Sequence, residues 1–534
     1  MTTPPTADPP AAGQPTGPPP LPDGQRAGHH RIAIPTTAAT LAEHAATLHQ
    51  RGFRLALVAA HHDHDALRAV YLYTAAEPDR RVELHLPIDR ERPTVPTLAA
   101  LSFPASRFER EMHDLYGIQP QGHPLPRRLV RHRHWPSGWY PMRHDAGPPP
   151  DFADTDGPFP FLTVEGPGVY EIPVGPVHAG LIEPGHFRFS VVGETILKLK
   201  ARLWYVHKGI EKLFQGRDIA AGLPLAERIS GDTAVGHALA YARAVEDALH
   251  VEVPFEARRM RAILLELERL YNHVGDLGAL CNDVGHSVLN AHALRIKETL
   301  LRLNKDTTGH RLLRGGITPG GAALHRVPAP EQLARIGADI REIVHLALGN
   351  SLVAERFTGT AVLTTAQARD LGTLGYVARA SGIDTDARRD HPTGILTDDG
   401  RHLGDLLTVP THTGGDVLAR FQQRAVEIDA SLTVLDTVVR TVTPGTITSG
   451  PTVAGAVSPA AGPVASGVGI VEGWRGTIVH RVELGPDQRL TRVKVVDPSF
   501  FNWPALPVAL AGTIVPDFPL ANKSFNLSYA GNDL

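Results

Sequence analysis

The sequence predicts an α+β protein of two or more domains. Three observations carry this. The chain has 534 residues, more than one typical core holds. Runs with strand-like alternation cluster near 53–88 and again near the C-terminal end. Between them lie long stretches whose apolar residues recur every three to four positions, the helical period. Apolar residues make up 42% and charged residues 20%, an ordinary globular balance. The net charge of −3 argues against a nucleic-acid or general membrane-surface binder. A single cysteine, Cys281, excludes an intrachain disulfide and any cysteine-held cluster within the chain, and fits a reducing cytoplasm. No stretch approaches the roughly 18–20 apolar residues that span a bilayer. No basic region followed by an apolar run opens the chain.

Residues 1–27 are rich in Pro, Gly, Ala and Thr, too poor in large apolar groups to offset ordering entropy, and are expected to be a disordered tail. FRLALVAA and ALRAVYLY flank HHDHD (61–65) and predict a β-hairpin; VELHLPI (82–88) predicts a third strand. Helical patterns lie around 37–51 and 95–115, so residues 28–135 form a small α+β domain. Residues 136–168, rich in Pro, Gly and Asp, are expected to be a linker. A second domain, 169–534, opens with strand patterns in YEIPVGPVHAG and HFRFSVVGE and an amphipathic stretch from 194 to 214. Helical patterns follow at 233–250, 254–281, 286–308, 330–351 and 411–440, which predicts a helical bundle core. Ile263, Leu264, Leu267, Leu270, Val274 and Leu277 form its clearest stripe. GVGIVEGWRGTIVHRVEL and LTRVKVVD return to alternation, and the last forty residues hold many turn formers.

Several motifs have bland readings. HHDHD has metal-ligand residue types, but adjacent histidines on a turn diverge, so an exposed hairpin tip is expected. Arg127, Arg128, Arg131 and Arg133 lack interleaved aromatic residues and fit a contact surface for a neighbouring subunit better than nucleic acid. Glu266, Glu268, Arg269 and His273 have the spacing of surface ion pairs. GGITPGGAAL (315–324) has neither nucleotide-loop glycine order, and nothing else in the chain reads as an NAD site.

Two sets of motifs carry a resemblance. Glu109-Arg110-Glu111-x-x-Asp114-Leu115-Tyr116-Gly117, with Gly122-His123-Pro124 and Arg127-Arg128, resembles the signature of the 30-kDa (C) subunit of respiratory complex I. GPVHAGLIEPGHFRF, HKGIEKL, the R-x-x-G-x-x-x-x-x-H frame of RISGDTAVGH, VEGWRG and DPSFFNW resemble the 49-kDa (D) subunit and the large subunits of nickel–iron hydrogenases. Fused C and D modules are typical of the formate-hydrogenlyase and membrane-bound hydrogenase branch. The resemblance spans about 28–534 and implies a hydrogenase-large-subunit-like second domain with peripheral strands around its bundle.

In those hydrogenases R-x-C-G-x-C and D-P-C-x-x-C supply four thiolates to nickel and iron. The matching positions here are Ser230, Thr233, Ser499 and Asn502, none a thiolate, and soft sulfur ligands are what such metals need. The resemblance therefore implies no nickel–iron centre and no hydrogen activation at this position. In complex I the corresponding cavity takes a quinone headgroup beside an iron–sulfur cluster on a small neighbouring subunit. His178 matches the histidine that approaches the quinone, and Asp283 matches its carboxylate partner. A histidine titrating near neutral pH suits a reaction that moves protons with electrons. The family's quinone-contacting tyrosine falls at Gly231, leaving a two-donor clamp incomplete. Glu211 matches a glutamate held to carry protons in the hydrogenases.

Taken alone, His178 also reads as a turn histidine bonded to backbone, Asp283 as turn chemistry, and Glu211 as part of a solvated helix face. The resemblance implies a peripheral-arm subunit on the cytoplasmic side of the membrane that binds no cofactor itself. Its implied partners are a small iron–sulfur subunit and antiporter-like membrane subunits. The alternative is a structural subunit of the same assembly with no redox chemistry in its cavity.

Overall fold

The structure is a computed structural model and describes residues 21–63, 66–153, 157, 159–180, 182–392, 404, 407–448 and 465–534. Its N-terminal part is a five-stranded sheet in the order Gln25–Gly28, Arg31–Pro35, Arg80–Ile88, Leu67–Ala75, Arg54–His62. Only the pairing of Arg31–Pro35 with Arg80–Ile88 is parallel. The helices Leu41–Gln50 and Phe103–Tyr116 pack on the sheet, with Leu57, Leu72, Leu84 and Phe108 in the core between. The strand Gln25–Gly28 overlaps the end of the expected tail, so backbone pairing rather than side-chain burial orders residues 25–27. Residues 1–20 lie outside the described residues.

The hairpin forms as expected, but His61 and His62 do not sit on an exposed tip. They end the strand Arg54–His62 and are buried. His61 Nδ1 lies 3.3 Å from Glu483, and His62 Nδ1 accepts the His144 backbone N–H at 2.8 Å. Burial outweighs the Glu483 carboxylate and pushes the His61 pKa down to about 4. His64 and Asp65 lie outside the described residues.

The 30-kDa-like signature stitches the helix Phe103–Tyr116 to the chain after it. Glu109 accepts Leu98 N–H at 2.6 Å and Thr97 Oγ1–H at 2.6 Å. Asp114 Oδ2 accepts three successive N–H groups, from Leu129, Val130 and Arg131, at 2.8, 2.7 and 3.1 Å. Arg110 donates to the carbonyls of Arg127 and Arg128. The helix stops at Gly117, which has φ 75° and where a Cβ would lie 2.6 Å from the Tyr140 ring, so only glycine fits. The arginine run is therefore no free contact face. Arg128 donates to Trp135 O at 2.9 Å and Arg131 to Trp139 O at 2.6 Å, holding the segment beyond 135 in place.

The second part contains the five long helices: Ala234–Leu249, Phe255–Asp283, Ser287–Thr308, Pro330–Leu348 and Val417–Val439. The antiparallel sheet Ala465–Gly473, Gly476–Leu484, Leu490–Val496 lies on Ala234–Leu249. Two glycines permit this close approach. A Cβ on Gly467 would stand 2.0 Å from Ala244 O, and one on Gly469 1.9 Å from Ala240 O. The stretch 194–214 divides into the strand Thr195–Arg202, in a sheet with Val169–Val174 and His186–Val192, and the short helix Ile210–Phe214. The last forty residues fold into the short helices Pro498–Asn502, Ala505–Ala509, Phe518–Phe525 and Tyr529–Asp533. Among the described residues no helix is long and apolar enough to cross a membrane.

The central helix Phe255–Asp283 is enclosed by Ser287–Thr308, Val417–Val439 and Ala234–Leu249. Glu266, Glu268, Arg269 and His273 are consequently buried, not surface pairs. Arg269 donates to Gly473 O and Glu472 O, His273 Nε2 lies 3.0 Å from Glu427, and Glu266 is ion-paired to Arg388 at 3.0 Å. Glu268 accepts Val235 N–H and Gly236 N–H at 2.7 and 2.9 Å, and burial pushes its pKa up to about 8. The two parts of the chain meet through further buried ion pairs. Arg481 reaches Glu83 at 2.9 Å, Arg31 reaches Glu83 at 3.1 Å and Asp247 at 3.2 Å, and Lys494 reaches Glu111 at 2.5 Å. Burial opposes the Glu83 charge, but Arg481 and Arg31 hold its carboxyl well below the ordinary range.

Candidate functional site

Four of the expected positions, His178, Ser230, Gly231 and Asp283, line one cavity of about 680 Å³. Each comes from a different kind of chain end. His178 sits in the turn between the strands Val169–Val174 and His186–Val192. Ser230 and Gly231 lie just before the helix Ala234–Leu249, and Asp283 closes the helix Phe255–Asp283. Arg475 enters from the turn between Gly473 and Gly476; Lys523, Asn526 and Tyr529 enter from the C-terminal helices.

The tautomer of His178 follows from its partners. Nδ1 lies 3.1 Å from Pro176 O, a carbonyl that can only accept, so Nδ1 carries the proton. Nε2 is buried and has no hydrogen-bond partner among the described residues. Both the turn bond and a free ring nitrogen are thus present. Burial raises the Asp283 pKa, and Lys523 opposes that rise. Among the described residues no hydrogen bond or ion pair joins His178 to Asp283; they share the cavity without touching.

Asp232 and Arg475 form the most strongly charged pair of the wall. Arg475 donates from both terminal nitrogens at 2.7 Å, and from Nε to Asn526 O at 2.6 Å. Against the opposing effect of burial, Arg475 holds the Asp232 carboxyl well below its usual range.

The lost thiolate positions do not fit a nickel–iron centre. Ser230 Oγ bonds Asp232 at 2.9 Å and Ser528 Oγ at 2.8 Å. Thr233 Oγ1 bonds Asp232 at 3.0 Å and accepts the Trp474 indole N–H at 3.1 Å. Ser499 Oγ accepts Ser528 N–H at 3.0 Å, and the Asn502 amide exchanges hydrogen bonds with the Leu374 backbone. These are neutral oxygen and amide groups, each already engaged with the protein, where nickel and iron would need thiolates.

The remaining motif residues support this wall. Asp497 of DPSFFNW caps its helix through Ser499 N–H at 2.7 Å and accepts His237 Nε2–H at 3.0 Å. His237, the last residue of the R-x-x-G-x-x-x-x-x-H frame, accepts from His480 Nε2 at 3.1 Å through Nδ1. All three are buried, and burial holds the His480 pKa well below its usual value.

Glu211 lies elsewhere. It lines a second cavity, of about 360 Å³, with Trp135, Trp139 and Trp204. It is buried, not on a solvated helix face, and pairs with Arg492 at 2.8 Å and Lys494 at 3.1 Å. Burial opposes its charge, but the two cations overcome this and hold its pKa at about 2. The two cations thus favour the ionised form of Glu211. Elsewhere, His29, His30 and Asp79 offer ligand atoms within 4.8 Å of one another. The Asp79 carboxylate is already engaged by Arg81 at 2.8 Å and His391 at 2.8 Å.

The sequence reading missed Arg475, Lys523 and Tyr529. Arg475 stands in the VEGWRG motif and was open to assignment; Lys523 and Tyr529 stand in none of the motifs that carry the resemblance.

Comparison with known proteins agrees with this architecture. Residues 32–150 match the family of the respiratory-chain NADH dehydrogenase 30 Kd subunit, residues 283–457 that of the 49 Kd subunit, and residues 208–280 that of nickel-dependent hydrogenases. The chain is 31% identical over 483 residues to formate hydrogenlyase subunit 5 of Escherichia coli (strain K12), covering 87% of this chain and 82% of the relative. Hydrogenase-4 component G of the same organism is 34% identical over 438 residues, 80% of this chain and 73% of the relative. The fused C/D protein of NADH-quinone oxidoreductase from Bacteroides thetaiotaomicron is 30% identical over 408 residues, 71% of this chain and 75% of the relative. The fold matches a chain of the membrane-bound sulfane sulfur reductase, an archaeal respiratory membrane complex, with a TM-score of 0.60 at 21% identity, over 69% of this chain and 99% of that one. The chain belongs to the family of fused 30 Kd/49 Kd respiratory-chain and nickel-dependent hydrogenase subunits.

Proposed function

We propose that this chain is a subunit of a membrane-bound oxidoreductase complex and that its cavity receives a quinone headgroup. The single observation that carries the reading is His178. Its ring is set by a carbonyl at Nδ1, its buried Nε2 has no hydrogen-bond partner among the described residues, and the residue lines a cavity of about 680 Å³. That volume falls within the ordinary range for small-molecule sites. Reducing a quinone to a quinol adds two electrons and two protons, one proton to each carbonyl oxygen. The electrons would arrive from an iron–sulfur cluster on a small partner subunit, since the one cysteine here cannot hold one. With Nδ1–H committed to Pro176 O, Nε2 would first have to take up a proton from within the cavity; the imidazolium would then donate to one carbonyl oxygen and pass that proton to it. Asp283, with its raised pKa, would exchange protons inside the cavity rather than clamp the imidazole. Glu211 is left out of the proton path and acts as an ion-pair anchor. The family supports a place on the cytoplasmic face of the membrane, docked on antiporter-like membrane subunits, with any NAD chemistry on another subunit.

The test is His178→Ala and Asp283→Asn in the intact complex purified from native membranes. Quinone-dependent electron transfer should fall on the order of a hundredfold for His178→Ala, the usual scale of a lost proton-transfer group. Transfer to an artificial acceptor that takes electrons directly from the clusters should stay unchanged. Full quinone-dependent rates in both variants would mean a purely structural subunit.

A further inference from the structure

We infer that Tyr529 is a second hydrogen-bond donor to the ligand in this cavity, replacing the phenol absent at Gly231. The inference rests on the reading of the cavity as a quinone-type site. Tyr529 is the first residue of the helix Tyr529–Asp533 and lines the same cavity as His178 and Gly231. Its ring is held on two sides. The edge of Trp503 packs at 4.8 Å, and Gly185 of the GPGHFRF motif lies so close that a Cβ there would stand 2.6 Å from Tyr529 Cε1. The ring stands beside His178, with centroids 6.3 Å apart at 44°. The hydroxyl oxygen is buried and makes no hydrogen bond of good geometry among the described residues; the Asn522 side chain is its polar neighbour. Burial pushes the phenol up to about 12, so it stays protonated and can donate. Buried tyrosine hydroxyls normally find a partner, because an unpaired polar group costs roughly 1–3 kcal/mol. Two residues of one wall, Tyr529 and His178, each carry such a buried group just behind the cavity surface. A flat quinoid ligand can accept from the Tyr529 hydroxyl at one carbonyl oxygen, and at the other it meets His178 Nε2 as a donor once that nitrogen carries a proton, or gives it a hydroxyl donor in the quinol form. Val174, Phe189, Phe518 and Pro519 supply the apolar surface such a ring needs.

Gly231 provides the control. It has no left-handed φ, and a Cβ added there meets no atom within 4 Å, so a side chain can leave the backbone at this position without a clash. Tyr529→Phe removes only the hydroxyl. In the intact complex, kcat/KM for a short-chain quinone should fall about tenfold, the scale of one lost hydrogen bond, with thermal stability unchanged. Adding Gly231→Tyr to Tyr529→Phe should restore most of that loss. Unchanged kcat/KM in Tyr529→Phe, with His178→Ala inactive, overturns this inference and leaves the quinone reading standing. Unchanged kcat/KM in both single variants overturns both. If Tyr529→Phe lowers stability as well, the double variant decides: recovery supports the donor role, and no recovery makes Tyr529 a packing residue.

Discussion

At the scale of single residues, burial and partners separate groups that the motifs place together. His178 and Glu211 both carry family patterns, but one lines the cavity with a ring nitrogen unpartnered among the described residues, and the other is locked between Arg492 and Lys494. Glu211→Gln should therefore act on folding rather than on a proton relay. Leaving two buried cations short of an anion should destabilise the protein by about 3–5 kcal/mol, read as a lowered unfolding midpoint in denaturant. The sign with pH follows from the lowered pKa. Glu211 contributes fully above its ordinary value near 4.5, and its contribution is lost as the pH falls toward 2. Wild-type stability should then drop over that acid window more steeply than that of Glu211→Gln. Glu268 has the opposite sign, because burial raises its pKa to about 8. Stability from Glu268 is present below pH 4.5 and declines as the pH rises through 8. Glu268→Gln should flatten that decline in a series of melting curves. The sequence pointed to His178 and Asp283 only through the family resemblance, and both line the cavity. Tyr529 was not legible in it, because its placement depends on Trp503 and Gly185, distant in sequence and brought to it only by the fold.

At the scale of elements, alternation and helical period located nearly every long helix and strand, since those periods follow from which face is buried. They erred where a helix is buried on every side. The charged residues of Phe255–Asp283 have surface spacing, yet they find partners on other elements: Glu427 for His273, Arg388 for Glu266. Nothing within one helix can report that. The stretch 194–214 was also ambiguous, because Thr195–Arg202 gains its strand identity from pairing with His186–Val192. By contrast, the signature from Glu109 to Gly117 was recognised by its family resemblance, and Glu109, Arg110, Asp114 and Gly117 each act on chain close to the helix, while Glu111 reaches Lys494 in the other part. Gly117→Ala puts a side chain at a left-handed φ and against Tyr140, so it should destabilise by about 1–3 kcal/mol. A fall in melting temperature with unchanged cavity chemistry would check this; no fall would mean the helix end relaxes.

At the scale of the whole molecule, the cavity is assembled from chain segments some 350 residues apart, from His178 to Tyr529. Its wall inherits the hydrogenase motifs with the thiolates replaced by hydroxyls and an amide that bond one another and the backbone. The buried pairs around Glu83, Arg31 and Arg481 join the N-terminal sheet to the C-terminal sheet. Arg481→Ala, which takes one cation from both Glu83 and Glu483 and leaves them Arg31 and Arg68, should cost about 1–3 kcal/mol and lower the melting temperature of the whole chain as one unit. The central claim is that the cavity between His178, Asp283 and Tyr529 holds a quinone headgroup. Its most direct test is photo-crosslinking with a quinone analogue bearing a photoreactive group on its ring, in the intact complex purified from native membranes. The account predicts labelled peptides containing residues near 178, 231 and 529, suppressed by excess unmodified quinone. Labelling that never reaches these peptides, in a complex whose quinone reduction is active, would contradict it.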